Sequence, residues 1–122
     1  MADSTNRIAG TAYLNVDGQN YLLRGDFEYC PSAFERESIV GMDKVHGYIE
    51  KPNVPHISGT LTDAGTLSLA ALNAMTNVTV VCELANGKTI TGRNMWAVQT
   101  QTGKAADGTV EMRWEGPSVV EA

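Results

Sequence analysis

Apolar and polar side chains alternate along most of the chain, the two-residue period of half-buried β-strands. Ala12, Leu14 and Val16 alternate with Tyr13 and Asn15, and Asp17-Gly18 follows, a dipeptide suited to a tight turn with positive φ. Tyr21, Leu23, Phe27 and Tyr29 then face one way, while Arg24, Asp26 and Glu28 face the other. Gly25 interrupts this run and marks a bulge or a close backbone contact. Residues 9–29 therefore read as a β-hairpin. The same grammar returns later. Val78, Val80, Cys82 and Leu84 alternate with Thr79, Val81 and Glu83, and Asn86-Gly87 is the strongest hairpin signal in the chain. Ile90, Asn94, Trp96 and Val98 continue as a long strand, facing opposite to Thr91, Arg93 and Met95. A third turn signal, Asp107-Gly108, precedes Val110, Met112 and Trp114, whose alternates Glu111, Arg113 and Glu115 suit a surface face. Residues 77–116 read as a three-stranded meander.

One stretch is helical. Ser68 to Met75 holds good helix formers and neither proline nor glycine. Ser68 is placed to cap its start, and Leu69, Leu72 and Met75 form one stripe. Two turns do not persist alone in water, so the helix lies on a sheet, with Leu67 anchoring its entry. The middle of the chain differs. Phe34 to Ile39 alternates weakly with charge on both faces, Gly41 to Gly47 reads as a loop, and Tyr48 to Lys51 returns as a strand. Val54 to Leu61 reads as an edge or bulged strand, because Pro52, Pro55 and Gly59 interrupt it. This polar excursion has no core pattern of its own, and unpaired strand edges recruit other strands. Core-directed periodicity is also missing from 1–8, 39–47 and 117–122, the segments expected to be disordered in an isolated chain.

Composition narrows the function. A chain of 122 residues with 43% hydrophobic and 19% charged residues is one globular domain. Nine basic against 14 acidic residues leave a formal charge of -5, which argues against general nucleic-acid binding. No apolar run approaches the roughly 20 residues that span a membrane. The start, MADSTNRIAG, has no apolar signal region, so export is not expected; a Cys30–Cys82 bridge is open to the chain, with reduced thiols the favoured reading. Neither belongs to a C-x-x-C pair, and His46 and His56 are ordinary polar residues, so no metal or cofactor is expected.

No nucleophile elbow, phosphate loop or zinc motif is present. Asp26 with Glu28, and Glu35 with Glu37, are two apart on strands and share a face. A small hydrolase would use such a carboxylate pair. Arg24 and Arg36, read as sharing those two faces, make a solvated or interface surface the better reading. Trp96 and Trp114 would serve a monomeric carbohydrate- or surface-binding β-domain if exposed, but both read as core.

The order of several stretches carries a family resemblance: AGTAYLNVDGQNYLLRG at 9–25, PSAFERE at 31–37, GMDKVHGYIEKPNVPHISG at 41–59, LTDAGTLSLAALNAMTNVTVVCELANGKT at 61–89 and RNMWAV at 93–98. Together they resemble the tail tube protein of Mu-type contractile-tailed bacteriophages. The resemblance runs from about Ala9 to Gly116, leaving 1–8 as an N-terminal arm, 9–116 as the tail-tube β-domain and 117–122 as a C-terminal tail. It implies a mainly β fold, a small β-sandwich or barrel-like domain with one flanking α-helix, and a structural role rather than an enzymatic one. Six copies would form a ring, and stacked rings a hollow inner tube through which DNA is delivered without specific binding. The implied partners are the chain itself, the tail sheath protein, the tape-measure protein, and the baseplate and tail terminator proteins, in a virion tail assembled in the bacterial cytoplasm. No membrane is involved. Within that role, the polar strands in 26–38 and 48–62 are candidates for a barrel shared between copies. Glu28, Glu35 and Glu37 are candidates for an acidic lumen unless they pair with Arg24 and Arg36. The loop containing Met42, Asp43, Lys44 and Val45 is the candidate ring-to-ring contact.

Overall fold

The computed structural model describes residues 6, 7, 10–65, 67–98 and 101–122. Alternation does produce strands, and two of them turn corners so that the sheet closes on itself. Strand β1 (Tyr13–Val16) runs into β2 (Gln19–Tyr21) through Asp17-Gly18, whose φ values of 50° and 84° are both left-handed. Asp17 fixes this turn from both sides: its amide donates to the Thr79 carbonyl at 3.0 Å, and its carboxylate accepts from the Thr79 amide at 2.8 Å. The hairpin ends there. Past Leu22, β3 (Leu23–Cys30) crosses to β6 (His56–Thr62) instead of continuing alongside β1, so the long hairpin expected over 9–29 is a short one plus a corner. The bulge expected near Gly25 is present, with register breaks on both sides of it.

The C-terminal half forms the expected meander. It comprises β7 (Val78–Glu83), β8 (Thr89–Ala97) and β10 (Thr109–Glu115), with β9 (Gly103–Lys104) pairing to β10 through the Asp107-Gly108 turn. β11 (Ser118–Glu121) adds beside β8 and buries Val119. The tail read into 117–122 is thus a strand of the domain. Its four residues are too few to show a period, and only β8 supplies their hydrogen bonds. The front sheet orders β2-β1-β7-β8-β11 and the back sheet β8-β10-β6-β3, with β8 shared at one corner and the β2–β3 run bending at the other.

The corner in β8 explains a reversal. Three steps of β8, from Gly92 to Met95, oppose two steps of β7, from Val80 to Val78. Asn94 absorbs the extra residue at φ 55°. The inside–outside phase therefore flips. Met95 is buried over Gly92, where a Cβ would collide with its sulfur, and Trp96, read as core, is 39% exposed. Trp114 is fully buried as expected. A second correction concerns β6, which lies between β10 and β3 rather than at an edge. Pro55 precedes the strand and so removes no ladder bond, and Gly59 leaves room for Leu23, whose Cδ1 lies 2.8 Å from where a Cβ would stand.

The core gathers Leu14, Val80, Ile90 and Val119 from the front sheet and Ile57, Leu61, Met112 and Trp114 from the back. Helix α1 (Leu69–Asn73) closes one end. Ser68 caps it by accepting from the Ala71 amide at 3.3 Å, and the expected stripe of Leu69, Leu72 and Met75 faces the core. Trp114 Nε1 donates to Met75 Sδ at 3.4 Å, so even the indole N–H is satisfied. Both cysteines are free, and no helix among the described residues is long and apolar enough to cross a membrane. The arm read into 1–8 falls largely outside the described residues.

Two predictions follow from this packing. Asn94→Val forces a β-branched residue into the left-handed region and should lower urea-measured stability by about 1–2 kcal/mol, whereas Asn94→Gly should stay within about 1 kcal/mol of the parent. Burial, with Glu83 adding to it, pushes the Cys82 thiol from 9.0 up to about 11. Burial also raises the Tyr21 phenol, with Asp17 contributing. Unfolding lets both groups ionise at lower pH, so stability is full below about pH 9 and should decline toward pH 11. Denaturant titrations across that range check it, and Cys82→Ala should flatten part of the decline.

Candidate assembly interface

Between β3 and β6 the chain leaves the barrel as a hairpin, β4 (Phe34–Val40) and β5 (Val45–Pro52), which forms a two-stranded sheet of its own. Its root is clamped by Asn53. The Asn53 amide donates to the Ala33 carbonyl at 2.8 Å, and its side chain donates to the Ser32 carbonyl at 2.9 Å. Beyond that clamp every residue from Phe34 to Pro52 is exposed except half-buried Ile39 and Gly41. Exposure on both faces explains why the sequence here shows no core period.

Opposed residues share a face. One face carries Phe34, Arg36, Tyr48 and Glu50, with Arg36 bonded to Glu50 at 3.2 Å and its guanidinium 5.5 Å from the Tyr48 ring centre. The other carries Glu35, Glu37, Ile49 and Lys51, with Lys51 bonded to Glu37 at 2.7 Å. Arg36 thus sits opposite to the face of Glu35 and Glu37, and the partner of Glu37 is Lys51, not Arg36. Alternation requires this, since Arg36 lies between the two glutamates. Exposed pairs of this kind contribute well under about 1 kcal/mol each, and a lone two-stranded hairpin is marginal in water.

The loop of this hairpin is only four residues long, 41–44, because β4 reaches Val40 and β5 already begins at Val45. The Gly41 amide donates to the Lys44 carbonyl at 2.9 Å, and His46 Nε2 lies 2.8 Å from Asp43 Oδ1. That bond to His46 holds the Asp43 carboxyl below its usual range. Met42 is fully exposed at the apex, flanked by exposed Val40 and Val45, while Lys44 makes no ion pair among the described residues.

Glu28 stands apart from Glu35 and Glu37. It projects from β3 on the outer face of the back sheet, beside a concavity of about 290 Å³ that Asp26, Glu111 and Arg113 also line. Arg24 does not neutralise this patch: it donates to Thr62 Oγ1 at 3.1 Å and to the Asp107 carbonyl at 2.6 Å. Glu111 was hidden from the sequence reading because register alone brings it into this patch. It lies opposite Thr60, while Ser58 pairs Glu28. Of the strands considered for a shared barrel, β6 has both edges occupied, whereas β3 pairs on one side only, as do β4 and β5. Asp26, at φ 53°, bulges that open β3 edge. Phe34 and Tyr48 are exposed aromatics of the hairpin that sequence reasoning did not single out. The signal was available: two aromatics in a charged excursion that offers them no core.

The family model described as "Phage tail tube protein" matches residues 5–121. The chain is 28% identical over 107 residues to the Mu-like prophage FluMu tail tube protein of Haemophilus influenzae, covering 88% of this chain and 89% of that one. It is 25% identical over 91 residues to the tail tube protein of Escherichia phage Mu, covering 75% and 76%. Among solved structures, the fold is similar to Hcp1 from Flavobacterium johnsoniae, with a TM-score of 0.64 at 11% identity over 91% of this chain and 94% of that one. It is also similar to a chain of the sheath–tube complex of an extracellular contractile injection system, with a TM-score of 0.60 at 11% identity over 98% and 94%. These relatives are structural components of phage tails and not enzymes. With nearly its whole length matched, including the strand at its C-terminus, the chain belongs to the phage tail tube protein family.

Proposed function

We propose that the chain assembles into hexameric rings that stack into the inner tube of a contractile tail, the channel for DNA delivery. The observation that carries this reading is the β4–β5 hairpin, which is clamped at its root, exposed on both faces and tipped with Met42. A barrel with a satisfied core has no internal use for such an arm, and a second copy does. Ring closure needs one surface to meet a different surface of the next copy, and the open, bulged β3 edge supplies one such surface. Met42, Asp43, Lys44 and Val45 then form the ring-to-ring contact.

The back sheet faces the lumen in this reading. Glu28, with Asp26, makes that wall acidic, so DNA slides past without tight phosphate contacts; Glu111 adds less, since Lys104 pairs with it at 3.3 Å. Glu35 and Glu37 contribute less, since Lys51 offsets Glu37. The partners are the sheath outside, the tape-measure protein inside before ejection, and baseplate and terminator proteins at the ends, with assembly in the bacterial cytoplasm. The exposed Trp96 is the one feature a monomeric carbohydrate-binding domain would also show. Such a domain stays monomeric at high concentration.

Electron microscopy of the purified chain across concentration tests the reading, with tubes of uniform diameter expected. Deleting 41–46 should leave the far-ultraviolet circular dichroism and melting temperature of the barrel intact while abolishing stacking. Tubes from that deletion in parental yield would remove the hairpin from the contact.

A further inference from the structure

A protruding apolar tip needs a receiving site. Of the concavities on the described surface, one carries Lys104, the same sign as Lys44, and another holds only about 40 Å³, so three others remain to compare. The one on the back sheet is acidic, but its apolar contribution is Met112, whose side chain is buried in the core. The one between β8 and β11 has an apolar wall at Val120 but carries Arg93, the same sign as Lys44. The third lies on the outer face of the front sheet, across β2, β1 and β7, with a volume of about 250 Å³. There Tyr13 stands opposite Glu83, and Asn15 opposite Val81. Asn15 Nδ2 donates to Asn20 Oδ1 at 2.9 Å and Asn15 Oδ1 accepts from the Gly18 amide, which engages the polar end. What stays open is an exposed phenol ring, a half-buried valine and a Glu83 carboxylate that has no ion pair among the described residues.

The hairpin tip is the complement of that site. His46 occupies Asp43, which leaves Lys44 as the unpaired charge beside Met42. We propose that the tip of one copy docks in this groove of another copy, with Met42 against Tyr13 and Val81 and Lys44 paired to Glu83. The inference rests on the reading of the hairpin as the stacking contact and adds the surface that receives it. A tip and a groove on different parts of one chain permit a heterologous contact, in which each copy docks into the next and the contact propagates from copy to copy.

Charge exchange tests the pairing. Lys44→Glu and Glu83→Lys should each raise the concentration for half-assembly by about tenfold, and the double variant should return it to near the parental value. Met42→Asp should block assembly in either background. In 1 M salt, where screening acts over about 3 Å, the parental concentration for half-assembly should rise, by less than either charge reversal raises it. Sedimentation velocity reads self-association whether or not the product is a tube, and circular dichroism confirms that each variant is folded. A double variant no better than its parents, or a silent Glu83→Lys, overturns the groove assignment. If deletion of 41–46 still blocks stacking in that case, the tube reading survives without it. If the parental chain associates without forming tubes and the double exchange still rescues, the docking stands and the tube reading falls.

Discussion

Closure of the sheet around one core is the constraint from which the other features follow. Two strands do the closing: β8 turns at Asn94, and the β2–β3 run turns at Leu22, whose carbonyl accepts from the Thr62 amide at 2.7 Å. Once the front and back sheets share these corners, the interior is full. Trp114, Ile57, Leu61 and Ile90 occupy it, and α1 covers the end. Apolar side chains outside this set have no interior to enter. Phe34, Tyr48 and Met42 are therefore surface residues by exclusion, and the hairpin that carries them stands outside the barrel.

Exclusion also separates what stabilises the chain from what joins it to others. Strand ladders and apolar burial are concentrated in the closed sheet. The hairpin has its own ladder, a few weak ion pairs and the Asn53 clamp. Because the two parts share so little, the hairpin tip tolerates changes that the barrel would not. In the assembly proposed above, this division puts the fold in one region and the contacts between copies in another.

Local chemistry made much of this legible in the sequence. Asp17-Gly18 takes left-handed backbone at both residues and Asn86-Gly87 at the glycine, each in a tight turn, and Ser68 offers an oxygen where a helix needs one. Strand existence followed from period two. What stayed hidden depended on partners far along the chain. Met95 and Trp96 exchanged faces because the bulge falls on an asparagine, which signals left-handed backbone far less clearly than a glycine does. β11 was invisible because four residues show no period until β8 pairs them. β6 read as an edge or bulged strand because of Pro52, Pro55 and Gly59, but the prolines lie before the strand and Leu23 fills the place of a Gly59 side chain. The acidic patch with Glu28 and Glu111 likewise exists only through the register of β3, β6 and β10.

The single clamp at Asn53 has a mechanical corollary. Seven strand residues carry the apex roughly 23 Å from the root, so a swing of about 5° there displaces Met42 by about 2 Å. The arm is a cantilever on a stiff housing. In the proposed assembly, misalignment between one molecule and the next would be taken up at that pivot, with the sheet around the core keeping its shape.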